Sequence, residues 1–316
     1  MGHTVIERYH ALETAFSKAS RKSERMSARF SAAAALDAES DVPTTVRRAL
    51  RERDALDASV SRWTYPTKSM RLVYGAVLAA VNRDAGSFIQ AREALKTRRK
   101  ERGGRSLSYD GACAALTLVA ADGNGGHADM FFDILEAIAA PWWRREAQPE
   151  EAYAAIMAAQ GETPDTAQGR LAQAQNAMLA AGVPKRQANK ALFDVALADP
   201  DPTRFANAWT SLSVAARGQK GLVRQTGLAG LATLAAQVDD GSAAADALIQ
   251  AYTSLRTLKP KPNGLVAGKL ALRLAVAMTG RKIPGAAARD LSAIFAVQQA
   301  AVIAATSGAV AATAAV

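Results

Sequence analysis

The sequence is poor in the residues that build disulfides and aromatic cores. Cysteine occurs once, at Cys113, so no disulfide can form within the chain, and we expect a reducing, cytoplasmic location. Aromatic residues make up only 6% of a chain that is 49% hydrophobic, and alanine supplies much of the difference. Because alanine buries little area per residue, we expect many small contacts to stabilise the fold. Cys113 lies between two alanines, and we interpret it as a small core residue.

Motifs of catalysis and metal binding are also scarce. The three histidines, His3, His10 and His127, have no second histidine or cysteine at the spacing that a zinc site requires. The sequence contains no nucleophile-elbow, zinc-protease or phosphate-loop motif. We therefore predict no catalytic, cofactor-binding or metal-binding residues. An enzyme whose pocket forms from distant residues inside the helices remains an alternative.

No stretch alternates in the way that predicts a β-strand, and the apolar residues recur at helical spacing instead. Residues 226–257 show the pattern most clearly, with residues such as Leu228 and Leu231 before an acidic break at 239–242 and a second apolar stripe after it. We expect Gly241 to end the first helix in the left-handed conformation, and Ser242 to cap the second helix. Two amphipathic helices joined by so short a turn predict an antiparallel hairpin.

The same pattern recurs along the chain at a nearly constant period. First helices are predicted to begin near positions 70, 109, 149, 188, 226 and 265, which lie 39, 40, 39, 38 and 39 residues apart. A turn follows each of them, and every turn except the last contains an acidic residue. This period predicts an all-α fold, namely an array of antiparallel helix hairpins of about 39 residues with no significant sheet. Both an open α-solenoid and a closed helical bundle fit the pattern.

We expect one all-α body in three parts. Residues 1–66 form an N-terminal cap of two helices, the first from Val5 to about Ala38, and residues 67–285 form the hairpins. Residues 286–316 form apolar, alanine-rich helices. Residues 291–316 carry no charge and are numerous enough to span a bilayer. The amides of Gln298 and Gln299 would be costly at membrane depth, so we expect no membrane insertion.

Positive charge is concentrated in two ways. Residues 1–105 contain 21 basic and 12 acidic residues, and so carry most of the formal charge of +10. The most basic segment supplies a candidate patch for an anionic partner such as nucleic acid, formed by Lys96, Arg98, Arg99, Lys100, Arg102 and Arg105.

The junctions between hairpins are basic along the whole chain, and the turns inside hairpins are acidic. A stacked array would therefore have one basic edge and one acidic edge. Acids that cap helix starts and bases that complement helix ends explain this layout without any ligand. We favour this explanation, and a basic edge that holds an anionic partner is the alternative.

A short aromatic and basic segment is the second candidate site. Trp142 and Trp143 precede Arg144 and Arg145 at a basic junction. Such a segment could stack on a base, clamp a peptide or anchor an interface. We favour the simpler alternative, in which both indoles pack between the second and third hairpins.

Three segments, RLVYGAVLAAV at 71–81, RGGRS at 102–106 and SYDGACAALTLVAAD at 108–122, resemble a family of bacterial all-helical proteins known only as a domain of unknown function. The resemblance covers about residues 5–305, implies a bacterial cytoplasmic protein and transfers no functional residue. We therefore expect an interaction or scaffold protein with no cofactor, whose partner is a protein or, alternatively, nucleic acid or another polyanion.

Overall fold

The computed structural model describes residues 2–21, 24–25, 27–61, 64–103, 106–140, 147–259, 261–280, 285 and 288–291. In these ranges the chain forms α-helices and short 3-10 segments, and the only strand-like pairing is an isolated bridge between Val238 and Gly280. The predicted all-α class is confirmed. The helices are α1 Gly2–Ala19, α2 Ala28–Ala34, α3 Val42–Ser59, α4 Arg71–Ala80, α5 Ala85–Arg102, α6 Ala112–Ala120, α7 Ala128–Ala137, α8 Ala147–Ala159, α9 Pro164–Ala180, α10 Lys185–Ala198, α11 Pro202–Gly218, α12 Leu222–Gln237, α13 Gly241–Leu255 and α14 Gly264–Thr279.

The helices pack in two series that each return to their starting point. Each even-numbered helix contacts the next even-numbered helix from α2 to α14, and α14 contacts α2. The odd-numbered helices follow the same rule from α1 to α13, and α13 contacts α1. Two side-chain contacts join the ends: His10 Nε2 lies 2.7 Å from Ser254 Oγ, and Arg273 forms an ion pair with Asp37. The described helices therefore close into a two-layer ring, whereas an open superhelix would keep its ends apart.

Burial identifies which series lies inside. All nine residues of α6 are buried, and so are nine of the ten residues of α4. On α9, by contrast, only Ala167, Ala174 and Met178 of 17 residues are buried. Small residues permit the close packing of the inner helices. A Cβ at Gly75 would lie 2.4 Å from the carbonyl oxygen of Ala49, so α4 approaches α3 more closely than any other residue would allow.

The N-terminal part differs from the predicted two-helix cap. The helix expected from Val5 to about Ala38 is divided into α1 and α2, and the buried Glu24 lies between them. Its carboxylate accepts hydrogen bonds from the backbone N–H of Arg21 and from Arg53, and these bonds hold a turn where the helix would otherwise continue. In addition, α1 packs against α13 and α14, so the N-terminal part contacts the last helices of the described chain.

The acidic turns start the odd-numbered helices as the capping explanation predicts. Asp84, Asp201 and Asp240 accept hydrogen bonds from backbone N–H groups in the first turns of α5, α11 and α13. Asp240 thus takes the capping role predicted for Ser242. Gly241 does not end α12, because it is the first residue of α13, and a Cβ there would lie 2.6 Å from the Cα of Ala208. Close packing of α13 on α11 therefore explains this glycine.

The most extensive packing between consecutive helices lies one helix out of phase with the predicted hairpins. Helices on either side of a basic junction, such as α11 with α12 and α13 with α14, pack along one another. Helices on either side of an acidic turn, such as α12 and α13, make few contacts. Connection length does not account for the difference, because three residues join α12 to α13 and three residues also join α11 to α12. The first helices begin at residues 71, 112, 147, 185, 222 and 264, which lie 35 to 42 residues apart. A regular repeat of 39 residues therefore stays a prediction.

The chain after α14 returns to the inner helices. A Cβ at Gly285 would lie 3.0 Å from Ile156 Cγ1 of α8, and the buried Arg289 forms an ion pair with Asp194 of α10. The predicted helices beyond residue 291 lie outside the described residues. None of the helices in the described ranges is both long enough and apolar enough to cross a bilayer.

Candidate anion-binding site

The basic segment at 96–105 ends α5, and carboxylates from other elements surround it. Arg102 Nη2 lies 2.6 Å from Asp133 and 3.4 Å from Asp129, both on α7, and its Nη1 lies 3.4 Å from Glu136. The hydrogen bond to Asp133 is the main reason that the pKa of Arg102 is raised. Because three carboxylates already surround this guanidinium, it has little charge to offer to a partner.

Two further cations of the predicted patch have acidic partners. Arg98 pairs with Asp129 and, at 2.7 Å, with Glu101, and these hydrogen bonds raise its pKa. Lys96 Nζ lies 3.3 Å from Glu93 and 3.8 Å from Asp110. Of the whole patch, Arg99 and Lys100 alone are described and have no ion pair, while Arg105 lies outside the described residues. The second candidate segment, formed by Trp142, Trp143, Arg144 and Arg145, also lies outside them.

A different basic site forms where two junctions meet, between the N-terminal ends of α12 and α14 and the C-terminal end of α13. We call it the cationic pocket. It has a volume of about 430 Å³. Lys220 precedes α12, Arg256 follows α13 and Lys261 precedes α14, so three separate segments each contribute a cation. Among the described residues no carboxylate lines the pocket, and the other lining residues are Gln219, Gln225, Tyr252, Pro262, Gly264 and Ala267.

Two glycines place the N-terminal end of α14 directly against α12. A Cβ at Gly268 would lie 2.3 Å from the carbonyl oxygen of Gln225, and a Cβ at Gly264 would lie 2.7 Å from Gln225 Nε2. Neither position therefore tolerates a larger residue unless α12 or the Gln225 side chain moves. Asn263 fixes where α14 begins, because its side chain accepts a hydrogen bond of 2.8 Å from the backbone N–H of Val266.

The polar groups of the cationic pocket are oriented as donors. The hydroxyl of the buried Tyr252 donates a hydrogen bond to Oε1 of Gln225, which fixes the orientation of that amide and leaves its NH₂ group to donate. The guanidinium of Arg256 lies over the Tyr252 ring, 5.7 Å from its centroid. This cation–π contact positions the guanidinium without neutralising it.

The cations of the cationic pocket also lack acidic partners. In the part of the chain that the structure describes, Lys220, Arg256 and Lys261 form no ion pair, unlike Arg98 and Arg102. Three unneutralised cations and an amide NH₂ around one cavity can bind the oxygen atoms of an anion.

The sequence places Lys220, Arg256 and Lys261 in the predicted basic junctions, but it does not indicate that they line one pocket. In the sequence, Tyr252 lies within the second apolar stripe of residues 226–257, and no pattern distinguishes Gln225. A charge count over shorter segments indicates the region of the cationic pocket. Residues 202–289 contain 12 basic and 3 acidic residues, whereas residues 106–201 contain 6 basic and 13 acidic residues. Counting residues 106–316 together hides both regions.

Comparison of the chain with protein-family models, with curated proteins and with solved structures finds no match. The geometry of this chain is therefore the only source of a functional assignment.

A strained segment lies directly before α6, the helix that carries the single cysteine. Tyr109 and Asp110 adopt left-handed conformations, with φ of 51° and 55°, and each such residue costs about 1–3 kcal/mol. Arg92 holds the Asp110 carboxylate by an ion pair. Cys113 is 7% exposed, and its Sγ lies 3.6 Å from the Tyr74 hydroxyl. The interpretation of Cys113 as a buried core residue is confirmed.

Metal-binding residues are not clustered in the described ranges, which contain no group of three or more histidine, cysteine, aspartate or glutamate side chains that could hold an ion. A further cavity of about 490 Å³ lies between α9 and the turn after α10. Arg170 lines it, but so do Asp199 and Asp201, and Arg170 is already paired with Glu162 at 2.5 Å. This cavity therefore has none of the charge bias of the cationic pocket.

Proposed function

We propose that the protein is a binding protein that holds an anionic partner at its basic edge, with the cationic pocket as the centre of the site. The observation that carries the proposal is the charge of the pocket: Lys220, Arg256 and Lys261 line it, and no carboxylate among the described residues does. This is a specific form of the predicted interaction protein. It moves the predicted polyanion site from residues 96–105 to the junctions before α12 and α14.

The segment at 96–105 and the cationic pocket differ in whether their cations are already paired with carboxylates. A cation attracts a polyanion when it can replace the small counterions around the phosphates. Arg98 and Arg102 would first have to leave the carboxylates of α7, and the loss of these ion pairs reduces what the new contact supplies. The three cations of the cationic pocket have no such competitor among the described residues. The pocket therefore accounts for more binding free energy than the segment at 96–105, although that segment is the more basic in sequence.

Salt-dependent binding tests the proposal. A short oligothymidylate with a fluorescent label provides a flexible polyanion with no required sequence. Neutralising three contacts on a single strand releases counterions, so the slope of log affinity against log salt concentration should be about −2. In the variant Lys220→Ser/Arg256→Ser/Lys261→Ser, we expect this slope to fall close to zero and binding to be lost at moderate salt.

The matched control removes the same charge from the other site. The variant Lys96→Ser/Arg98→Ser/Arg102→Ser should keep the affinity and the slope of the unmodified protein, with a lower melting temperature because its ion pairs to α7 are gone. Loss of binding in this control with retention in the pocket variant would show that the predicted patch is the site. Absence of binding by the unmodified protein at low salt would reject the function.

A further inference from the structure

The shape and the hydrogen-bonding groups of the cationic pocket suit one compact anionic group better than an extended polyanion. Its volume of about 430 Å³ lies within the range of small-ligand sites, roughly 300–1,000 Å³. Its cations come from three segments and surround one cavity, whereas a groove that follows a polyanion presents cations along a line. One group held from several sides fits this arrangement better than an extended backbone.

The lining also specifies the chemistry of that group. Lys220, Arg256 and Lys261 only donate hydrogen bonds, and Gln225 presents its NH₂ group because Tyr252 fixes the orientation of its amide. A group that satisfies such a lining accepts hydrogen bonds at several oxygen atoms and donates none. A carboxylate offers two oxygens and one charge. A phosphomonoester offers three oxygens and a charge of about −1.5 to −2 at neutral pH, which three cations balance better.

We propose that the cationic pocket binds the phosphomonoester group of a small soluble molecule, with Lys220, Arg256 and Lys261 on its oxygens and Gln225 donating an additional hydrogen bond. This inference rests on the proposed function, and it names the ligand of the same site. Tyr252 is a positioning residue, because it acts on the ligand only by orienting the Gln225 amide and by supporting the Arg256 guanidinium.

Calorimetric titration with ribose 5-phosphate, and with ribose as its uncharged control, tests the inference. The phosphorylated sugar should bind and ribose should not. Its affinity should fall as the pH is lowered through about 6, where a phosphomonoester loses its second charge. Equal binding of both sugars would overturn the inference, because the sugar and not the phosphate would then be recognised.

Gln225→Glu is the sharpest variant, since it keeps the size of the side chain and replaces the NH₂ donor with a carboxylate. Loss of one charge-assisted hydrogen bond corresponds to about a 10- to 100-fold weaker affinity, and the added repulsion should increase that loss. Lys261→Ser should weaken binding by about 10-fold or more for the same reason and does not depend on the packing of Gln225. Arg99→Ser/Lys100→Ser is the control and should bind ribose 5-phosphate as the unmodified protein does. Unchanged affinity in both pocket variants would overturn the inference.

Failure of this inference differs from failure of the proposed function. If oligothymidylate binds and depends on Lys220, Arg256 and Lys261 while ribose 5-phosphate does not bind, the small-ligand inference is wrong and the function stands. Binding of an oligothymidylate only when it carries a 5′-phosphate, again without binding of ribose 5-phosphate, would also overturn the small-ligand inference. If neither probe binds at low salt, both are wrong.

Discussion

The segment at 96–105 and the cationic pocket are both basic, but their cations have different surroundings. In the first, Arg98 and Arg102 extend from α5 to carboxylates of α7, about 30 residues away in sequence. In the second, no carboxylate occurs among the described lining residues, and the sequence has none between Asp201 and Asp239 or between Asp246 and Asp290. A run of basic residues therefore does not identify an anion site. The absence of acidic side chains beside the cations in the fold is the better indicator.

The same difference predicts which arginines stabilise the fold. Arg71 is 2% exposed, pairs with Asp57 at 2.8 Å and donates to the carbonyl oxygens of Pro66, Val60 and Ser61. Replacing it by methionine removes four hydrogen bonds of a buried guanidinium and leaves Asp57 with Arg21 alone, so we expect the free energy of unfolding to fall by about 3–5 kcal/mol. Urea denaturation measures this change.

The matched variant for that experiment is Arg256→Met, which removes an exposed cation with no carboxylate partner among the described residues. Its free energy of unfolding should change by less than about 0.5 kcal/mol, while its affinity for oligothymidylate falls. Similar destabilisation by the two substitutions would contradict the division between arginines that hold the fold and arginines that hold a ligand.

The second prediction concerns the segment at 96–105 after the carboxylates of α7 beside it are removed. In the variant Asp129→Asn/Asp133→Asn/Glu136→Gln, Arg102 loses its three carboxylate partners, whereas Arg98 keeps Glu101. One freed cation should make the salt slope for oligothymidylate steeper by about 0.7, with a gain in affinity at low salt. Fluorescence anisotropy at several salt concentrations measures both.

Removal of negative charge alone could also raise the affinity, so the control removes the same charge elsewhere. Replacing Asp165, Asp199 and Asp240 by asparagine, which removes carboxylates of the acidic turns that pair with no cation among the described residues, should leave the salt slope unchanged. An equal gain in slope would show that net charge, and not the pairing of particular arginines, controls binding.

The smallest expected effect is a pH dependence of the paired arginines. Burial acts to raise the pKa of Asp57, but the hydrogen bonds from Arg21 and Arg71 outweigh it and hold the pKa below its usual value. A carboxyl group with a lowered pKa in the folded protein stabilises it fully above the unfolded value of about 3.9. This contribution is lost as the pH falls through the lower folded value.

Asp57→Asn tests that sign. The variant should be less stable than the unmodified protein at neutral pH, and the difference between them should shrink as the pH is lowered below about 4. Urea denaturation at several pH values measures it. A difference that stays constant down to strongly acidic pH would show that the charge of Asp57 contributes nothing.

Much of the fold could be predicted from local patterns. Helical spacing of apolar residues and acidic breaks located α4 to α14 to within a few residues, because amphipathic periodicity and helix capping act over short distances. Closure of the ring could not be predicted in this way. It depends on contacts such as those of His10 with Ser254 and of Arg273 with Asp37, which join residues more than 230 positions apart.

The candidate site shows the same limit. The sequence indicates that Lys220, Arg256 and Lys261 belong to basic junctions, but not that two junctions meet in one cavity. Nor does it indicate that Tyr252 orients Gln225 across 27 residues. The sequence likewise marks Arg98 and Arg102 as charged without revealing their partners on α7. Both outcomes depend on which helices become neighbours, and local patterns carry little information about that choice.

Lysine acetylation followed by mass spectrometry compares the two regions in a single sample. The extent of modification at Lys220 and Lys261 is measured with and without bound oligothymidylate, beside that at Lys96 and Lys100. If unpaired cations around the cationic pocket hold the anion, the bound probe will protect Lys220 and Lys261, and the other two lysines will react equally in both states. Protection of Lys96 and Lys100 with full reaction of Lys220 and Lys261 would contradict the account.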